Sequence, residues 1–218
     1  MRSNLPKALH LVDGTPNVVR NSKMVDDFRV VINHCDVDVF LEYFSRDKLV
    51  EIESGLGSGH AIMQLELEEN DIIIWGDAVI VNPLIIKELS ETDSKTLKIP
   101  LKKVDNPYVN FCVDEQFSIH EVMFSKYNEH SSKGYQDCCI FKVPYQFVRY
   151  LRALHNAIWK SRYITESEEF EFLYIAHYLN NVGNPAKGYL TEYPNAIYSY
   201  NTVEELNTIE QIIRENKQ

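Results

Sequence analysis

The chain has 218 residues, 44% of them hydrophobic and 25% charged. It is long enough to bury a sizeable core, and its composition excludes a disordered protein, a collagen-like repeat and a disulfide-held miniprotein. Aspartate and glutamate number 32 against 22 lysines and arginines, a net charge of -10, which excludes general coating of nucleic acid.

The opening 23 residues hold Pro6, Gly14 and Pro16 and a charge of +3, and read as an extended N-terminal arm. A single α+β domain is expected over residues 24–218, sheet-rich through 143 and helical from 144, with a mixed or antiparallel sheet packed by the C-terminal helices. Phe28 to Ile32 is strand-like, and Asp36 precedes helically spaced Val37, Phe40, Leu41 and Phe44. Lys48 to Glu53 and the alternating Ala61 to Leu67 predict strands, and so do Asp71–Trp75 and Ala78–Val81 on either side of a Gly76-Asp77 turn. A short helix over Pro83 to Ser90 and strands over Thr96–Val104 and Tyr108–Val113 follow.

Ser118 with Glu121 has capping-box spacing ahead of Val122, Met123 and Phe124. Pro144 suits the first turn of a helix running to about Arg162. Thr165 with Glu168 opens another helix that Gly183 would end, and Thr202 with Glu205 opens the last, carrying Leu206, Ile209 and Ile213 on one face. Between these two helices lies the tyrosine-rich stretch GYLTEYPNAIYSYN, read as a loop.

No motif specifies a reaction. The Gly55–Gly59 cluster precedes an expected strand, so it reads as a hairpin connection and not as a phosphate turn feeding a helix. The histidines and cysteines show no HExxH or CxxC spacing, so no metal, zinc and iron included, and no other cofactor is expected. Four cysteines, two of them adjacent, do not make a disulfide framework and point to a reducing, cytoplasmic setting. The opening residues lack a signal-peptide core, and no apolar run is long enough to span a bilayer, so no membrane partner is expected.

The charge is uneven. Residues 24–139 carry -12 and residues 163–218 carry -6, whereas residues 140–162 hold five basic groups and no acid. On the helix within this basic band, Phe147, Leu151, Leu154 and Ile158 share one face, and Tyr145, Arg149, Arg152, Asn156 and Lys160 the other. Nine of the thirteen tyrosines lie between Tyr145 and Tyr200, which adds Tyr189, Tyr193, Tyr198 and Tyr200 to the candidate partner-binding set. The bland alternatives are a solvated helix face and a loop packed on the core.

The segment Pro6-Lys7-Ala8-Leu9-His10-Leu11-Val12-Asp13-Gly14-Thr15-Pro16 resembles the lead of phage small terminase subunits, in which a Pro-x-x-Leu element precedes a Gly-Thr. The resemblance implies a phage or mobile-element origin. An acidic α+β chain of this size is also similar to bacterial toxin-immunity proteins. The expectation is therefore a protein-binding factor without a catalytic centre, which inhibits or redirects a macromolecular partner. A basic nucleic-acid enzyme suits the acidic surface, and direct nucleic-acid binding is not expected. Two alternatives stay open: a DNA-packaging accessory, and an enzyme whose Cys/His or carboxylate site assembles only in the fold, with Cys138 or Cys139 and His120 or His155 as candidates.

Overall fold

A computed structural model describes residues 5–53, 57–127, 131–158 and 170–216. In chain order the elements are β1 (Leu11–Val12), β2 (Thr15–Pro16), α1 (Asn17–Ser22), β3 (Val30–Asn33), α2 (Val37–Leu41), β4 (Leu49–Ile52) and α3 (Ser58–Met63). They continue as β5 (Ile72–Ile74), β6 (Ala78–Ile80), α4 (Leu84–Ser90), β7 (Lys98–Asp105), β8 (Val109–Val113), β9 (Ile119–Phe124), β10 (Lys133–Asp137) and β11 (Ile140–Lys142). The last are α5 (Phe147–Ile158), α6 (Tyr174–Asn181), β12 (Lys187–Leu190), β13 (Ile197–Ser199) and α7 (Val203–Glu215). The architecture is α+β, with a mixed main sheet.

That sheet runs β10-β7-β11-β5 through antiparallel pairs, and β12 joins β7 in parallel. Its side chains alternate between two cores, because successive residues of a strand point to opposite faces. Phe141 and Val143 enter a core with Phe147, Leu151 and Leu154 of α5 and Ile175 and Leu179 of α6. Cys138 and Ile140 enter the other, with Ile85 and Leu89 of α4 and Ile197 of β13. The apolar face expected on α5 is thus the buried one at Phe147, Leu151 and Leu154. The last helix also forms as expected: the Thr202–Glu205 capping box is complete, and Leu206, Ile209 and Ile213 are buried.

Several local expectations are overturned. Ser118 and Glu121 cap no helix; Ile119 to Phe124 is β9, because pairing with β8 buries Ile119, Val122 and Phe124. The tyrosine-rich stretch is not one loop but contains β12 and β13, whose partners β7 and β6 lie far back in the chain. The Gly76-Asp77 turn forms between β5 and β6 as expected, but the two strands pair not with each other but each with a different, distant strand. The glycine cluster feeds a helix and not a strand. Gly57 has φ +90° and Gly59 donates its N–H to the Phe170 carbonyl at 2.8 Å, so the glycines admit the Phe170 backbone where a Cβ would collide. Thr165, Glu168 and Lys160 lie outside the described residues.

The opening segment differs most from its expectation as an extended arm. Leu9 is 1% exposed and packs with Val30, Ile32 and Phe40, while Val12 is 0% exposed and packs under α7 with Leu206 and Ile209. Helix α1 then covers the free edge of β6. Asn21 Nδ2 donates to the Ala78 carbonyl at 2.7 Å, Asn21 Oδ1 accepts from the Ile80 amide at 3.3 Å, and Arg20 donates to the Ile80 carbonyl. The sequence obscures this because the apolar residues here pack singly into two different cores and show no period. Leu9→Ala is therefore expected to destabilise the protein by about 2–5 kcal/mol, as for a buried leucine. Urea unfolding checks this, and a change near zero would return the segment to the status of an arm.

Candidate functional site

Three residues remote in sequence meet where the opening segment crosses the ends of β5 and β13. Lys7 Nζ donates to Asn201 Oδ1 at 2.8 Å and pairs with Asp77 Oδ2 at 3.5 Å. Each is held from behind. Asp77 lies between Gly76 and Ala78, whose carbonyls both accept from Asn17 Nδ2, at 3.3 and 2.8 Å. Asn201 immediately precedes the α7 cap, and its N–H and that of Thr202 both donate to Glu205 Oε2. Lys7 sits in a tight turn closed by the His10 amide on the Lys7 carbonyl, and the Tyr200 hydroxyl donates to that same carbonyl at 2.6 Å.

The Lys7–Asp77 pair is too exposed to matter much for stability, since the lysine side chain is 43% and the aspartate 31% accessible. Such a pair contributes under about 1 kcal/mol. Convergence of three chain segments on a partly exposed cation and two oxygen acceptors is better suited to binding an anion or an anion with a metal ion.

A second carboxyl lies beside this cluster. Asp137 is buried, and its Oδ2 accepts from the Cys139 amide at 2.9 Å. Burial raises its carboxyl above the ordinary 3.8, with Asp77 adding in the same direction, against the Cys139 amide and the Lys102 charge. Cys139 has φ +60°, a conformation rare for a residue with a side chain, and its carbonyl accepts from the Trp75 amide at 3.1 Å, two residues before Asp77. Burial pushes the Cys138 thiol up to about 12 and Cys139 well above its ordinary range, so neither is a thiolate nucleophile at neutral pH. His155 faces His60 of α3, and His120 lies on β9, so the expected Cys/His alternative is not assembled. Among the described residues no three His, Cys, Asp or Glu side chains gather to hold a metal, and no helix is long and apolar enough to cross a membrane.

The expected partner-binding residues do not form one surface. Tyr145 is 65% exposed, and Arg149, Arg152 and Asn156 are exposed on α5, with Arg149 bonded to Gln146 and Arg152 Nη2 to the Met63 carbonyl at 3.0 Å. Tyr189 and Tyr193 are half-buried against the α4 core, and Tyr198 lies half-buried under Lys102 Nζ. Tyr200 is fully buried, which removes it from any surface. The residues that do converge, Lys7, Asp77 and Asn201, were absent from the expected set. The Gly76-Asp77 turn was visible, and so was the cap after Asn201, but nothing in the sequence ties Lys7 to either.

No protein-family model matches the chain. It is 25% identical over 237 aligned residues to the bifunctional protein GlmU of Syntrophomonas wolfei, covering 100% of this chain and 51% of that protein, so the chain spans about half the length of this curated relative. Among solved structures it is similar to HddC from Yersinia pseudotuberculosis, with TM-score 0.65 and 15% identity over 97% of this chain and 92% of that one. It is also similar to the inositol-1-phosphate CTP transferase from T. maritima, with TM-score 0.72 and 15% identity over 99% and 89%. A third similar structure is the CTP:phosphocholine cytidylyltransferase LicC from Streptococcus pneumoniae, with TM-score 0.69 and 12% identity over 96% and 90%. The chain shares the fold of these solved structures, two of which are named as a CTP transferase and a cytidylyltransferase. This overturns the resemblance to terminase and immunity proteins, and with it the phage, DNA-packaging, inhibitor and non-catalytic binding-factor readings.

The buried carboxyl yields a prediction. A carboxyl whose folded-state pKa is raised binds more protons folded than unfolded, so its contribution to stability falls as pH rises from about 3.8 through the folded value. Asp137→Asn, which keeps an oxygen for the Cys139 amide, should be more stable than the parent at pH 7, and the difference should vanish below pH 3.8. Denaturant melts of both proteins at several pH values check this; equal stability at pH 7 would refute it.

Proposed function

We propose that this chain transfers a nucleotidyl group from a nucleoside triphosphate to a phosphate-bearing acceptor, with Lys7, Asp77 and Asn201 at the reacting end. The observation that carries the reading is the convergence of one ammonium and two oxygen acceptors from three remote segments. The likeness supports it: the T. maritima and S. pneumoniae neighbours are named as enzymes acting between CTP and a phosphate-bearing acceptor, and HddC has been crystallised with GMP-PN.

In this reading an oxygen of the acceptor phosphate attacks the α-phosphorus of the triphosphate. The new P–O bond forms as the bond to the β-phosphate oxygen breaks, and pyrophosphate leaves with the electron pair. Negative charge grows on the departing oxygens, and a positioned ammonium that already faces the site meets it without reorganisation. That is the role of Lys7. Asp77 and Asn201 offer a carboxylate and an amide oxygen, a hard donor pair that fits magnesium, which keeps phosphates and water as its remaining ligands. Such an ion would screen the charge of the phosphates. The four cysteines are all free, which suits a reducing, cytoplasmic compartment where nucleoside triphosphates are supplied.

The test is pyrophosphate release from the purified protein with magnesium, each of CTP, UTP, GTP and ATP, and a panel of sugar 1-phosphates, inositol 1-phosphate and phosphocholine. One triphosphate–acceptor pair is expected to turn over. Lys7→Met and Asp77→Asn should each lower that turnover about 100-fold while the far-ultraviolet circular dichroism stays unchanged. No release with any pair, or full turnover in Asp77→Asn, would overturn the reading.

A further inference from the structure

We propose that Tyr200 is a positioning residue for Lys7, fixing where the lysine ammonium stands relative to Asp77 and Asn201. The inference rests on the transferase reading for its functional meaning, but its structural content can be measured separately. The Tyr200 hydroxyl donates to the Lys7 carbonyl at 2.6 Å, and the next residue, Asn201, accepts from the Lys7 ammonium at 2.8 Å. Two consecutive residues therefore hold Lys7 at both its backbone and its tip.

The hold at the backbone matters because a lysine side chain has four rotatable bonds and rotates freely about its own anchor. If the anchor shifts, the ammonium samples a wider volume and spends less time at the reacting position. The anchor is firm. Tyr200 is 0% exposed, packed among Val12, Val79, Leu206, Ile209 and Ile213, and its ring lies 5.9 Å from that of His10. The Lys7 carbonyl has two lone pairs, one taken by the His10 amide inside the turn and one by Tyr200. The first shapes the turn; the second ties it to the end of β13.

Tyr200 could otherwise be no more than core packing, and the two roles separate experimentally. Tyr200→Phe keeps the ring and removes only the donor. In the full-length protein, lysine acetylation by acetic anhydride, read by peptide mass spectrometry, should be about fivefold faster at Lys7 in the variant, the change expected for one lost hydrogen bond of ordinary strength. Lys142, 2% exposed and bonded to the Ser90 carbonyl at 2.8 Å, should stay unlabelled and so reports that the variant is folded. His10→Leu is the second variant. Among the described residues neither ring nitrogen of His10 has a hydrogen-bond partner, so the change breaks no described side-chain bond, loosens one side of the Tyr200 ring, and should speed Lys7 labelling in the same direction by less.

Isothermal titration with magnesium and each of CTP, UTP, GTP and ATP adds the functional arm. Tyr200→Phe should weaken binding about fivefold when Lys7 is present and leave it unchanged in a Lys7→Met background. Unchanged Lys7 labelling in folded Tyr200→Phe, or the same fivefold loss with and without Lys7, would overturn the proposal. Absence of triphosphate binding by the parent protein would count against the transferase reading instead, while the labelling result still decides the role of Tyr200.

Discussion

An exposed lysine cannot by itself organise a protein, yet much of this structure is arranged around the position of one. Lys7 reaches Asp77 and Asn201 only because the opening segment is pinned between two cores, Leu9 in one and Val12 in the other. The same pinning places α1 along the edge of β6, where Asn17 and Asn21 satisfy backbone groups that an edge strand leaves open. Fixing the β6 edge fixes the turn that carries Asp77. Fixing Val12 under α7 fixes the cap that carries Asn201. The polar cluster is thus a by-product of apolar burial, with hydrogen bonds setting the last ångström.

Charge sets the Lys7 cluster apart from the other ion pairs of the chain. In a chain of net charge -10, a cation among carboxylates is usually consumed by surface pairing. Lys126 with Glu171, Lys98 with Asp93 and Lys48 with Asp27 are such pairs. Lys7 differs because its neighbours are one carboxylate at the long end of pairing distance and one neutral amide oxygen. It keeps a share of its charge for a ligand. Beside it Asp137 is buried with a raised carboxyl, and the adjacent thiols are held protonated by the same burial.

The basic helix and the tyrosines, which carry the sharpest signals in the sequence, have ordinary structural work. Arg152 bonds the carbonyl end of α3, and Arg149 bonds Gln146 just ahead of its own helix. The tyrosines split between strand packing and the interior, and Tyr200 leaves the surface entirely to hold the Lys7 turn.

Local chemistry was legible in the sequence wherever neighbours in the chain are also neighbours in space. The α+β class, the helices at Leu84–Ser90 and Phe147–Ile158, and the capping box at Thr202 and Glu205 all follow from periodicity and from bonds spanning three or four residues. Those rules failed where long-range pairing decides. Ser118 to Phe124 became a strand because β8 was there to receive it, and the glycine cluster entered a helix because the distant Phe170 backbone needed the room. The site belongs wholly to this second class. Asp77 and Asn201 lie 70 and 194 positions from Lys7, and no periodicity or spacing joins them. What the sequence by itself determined is which segments can be helix or strand and which faces must be buried, since both depend on local backbone preference and side-chain period. Only the tertiary structure decided which polar tips those buried faces bring together, because that depends on contacts between strands that the chain reaches by long and independent routes.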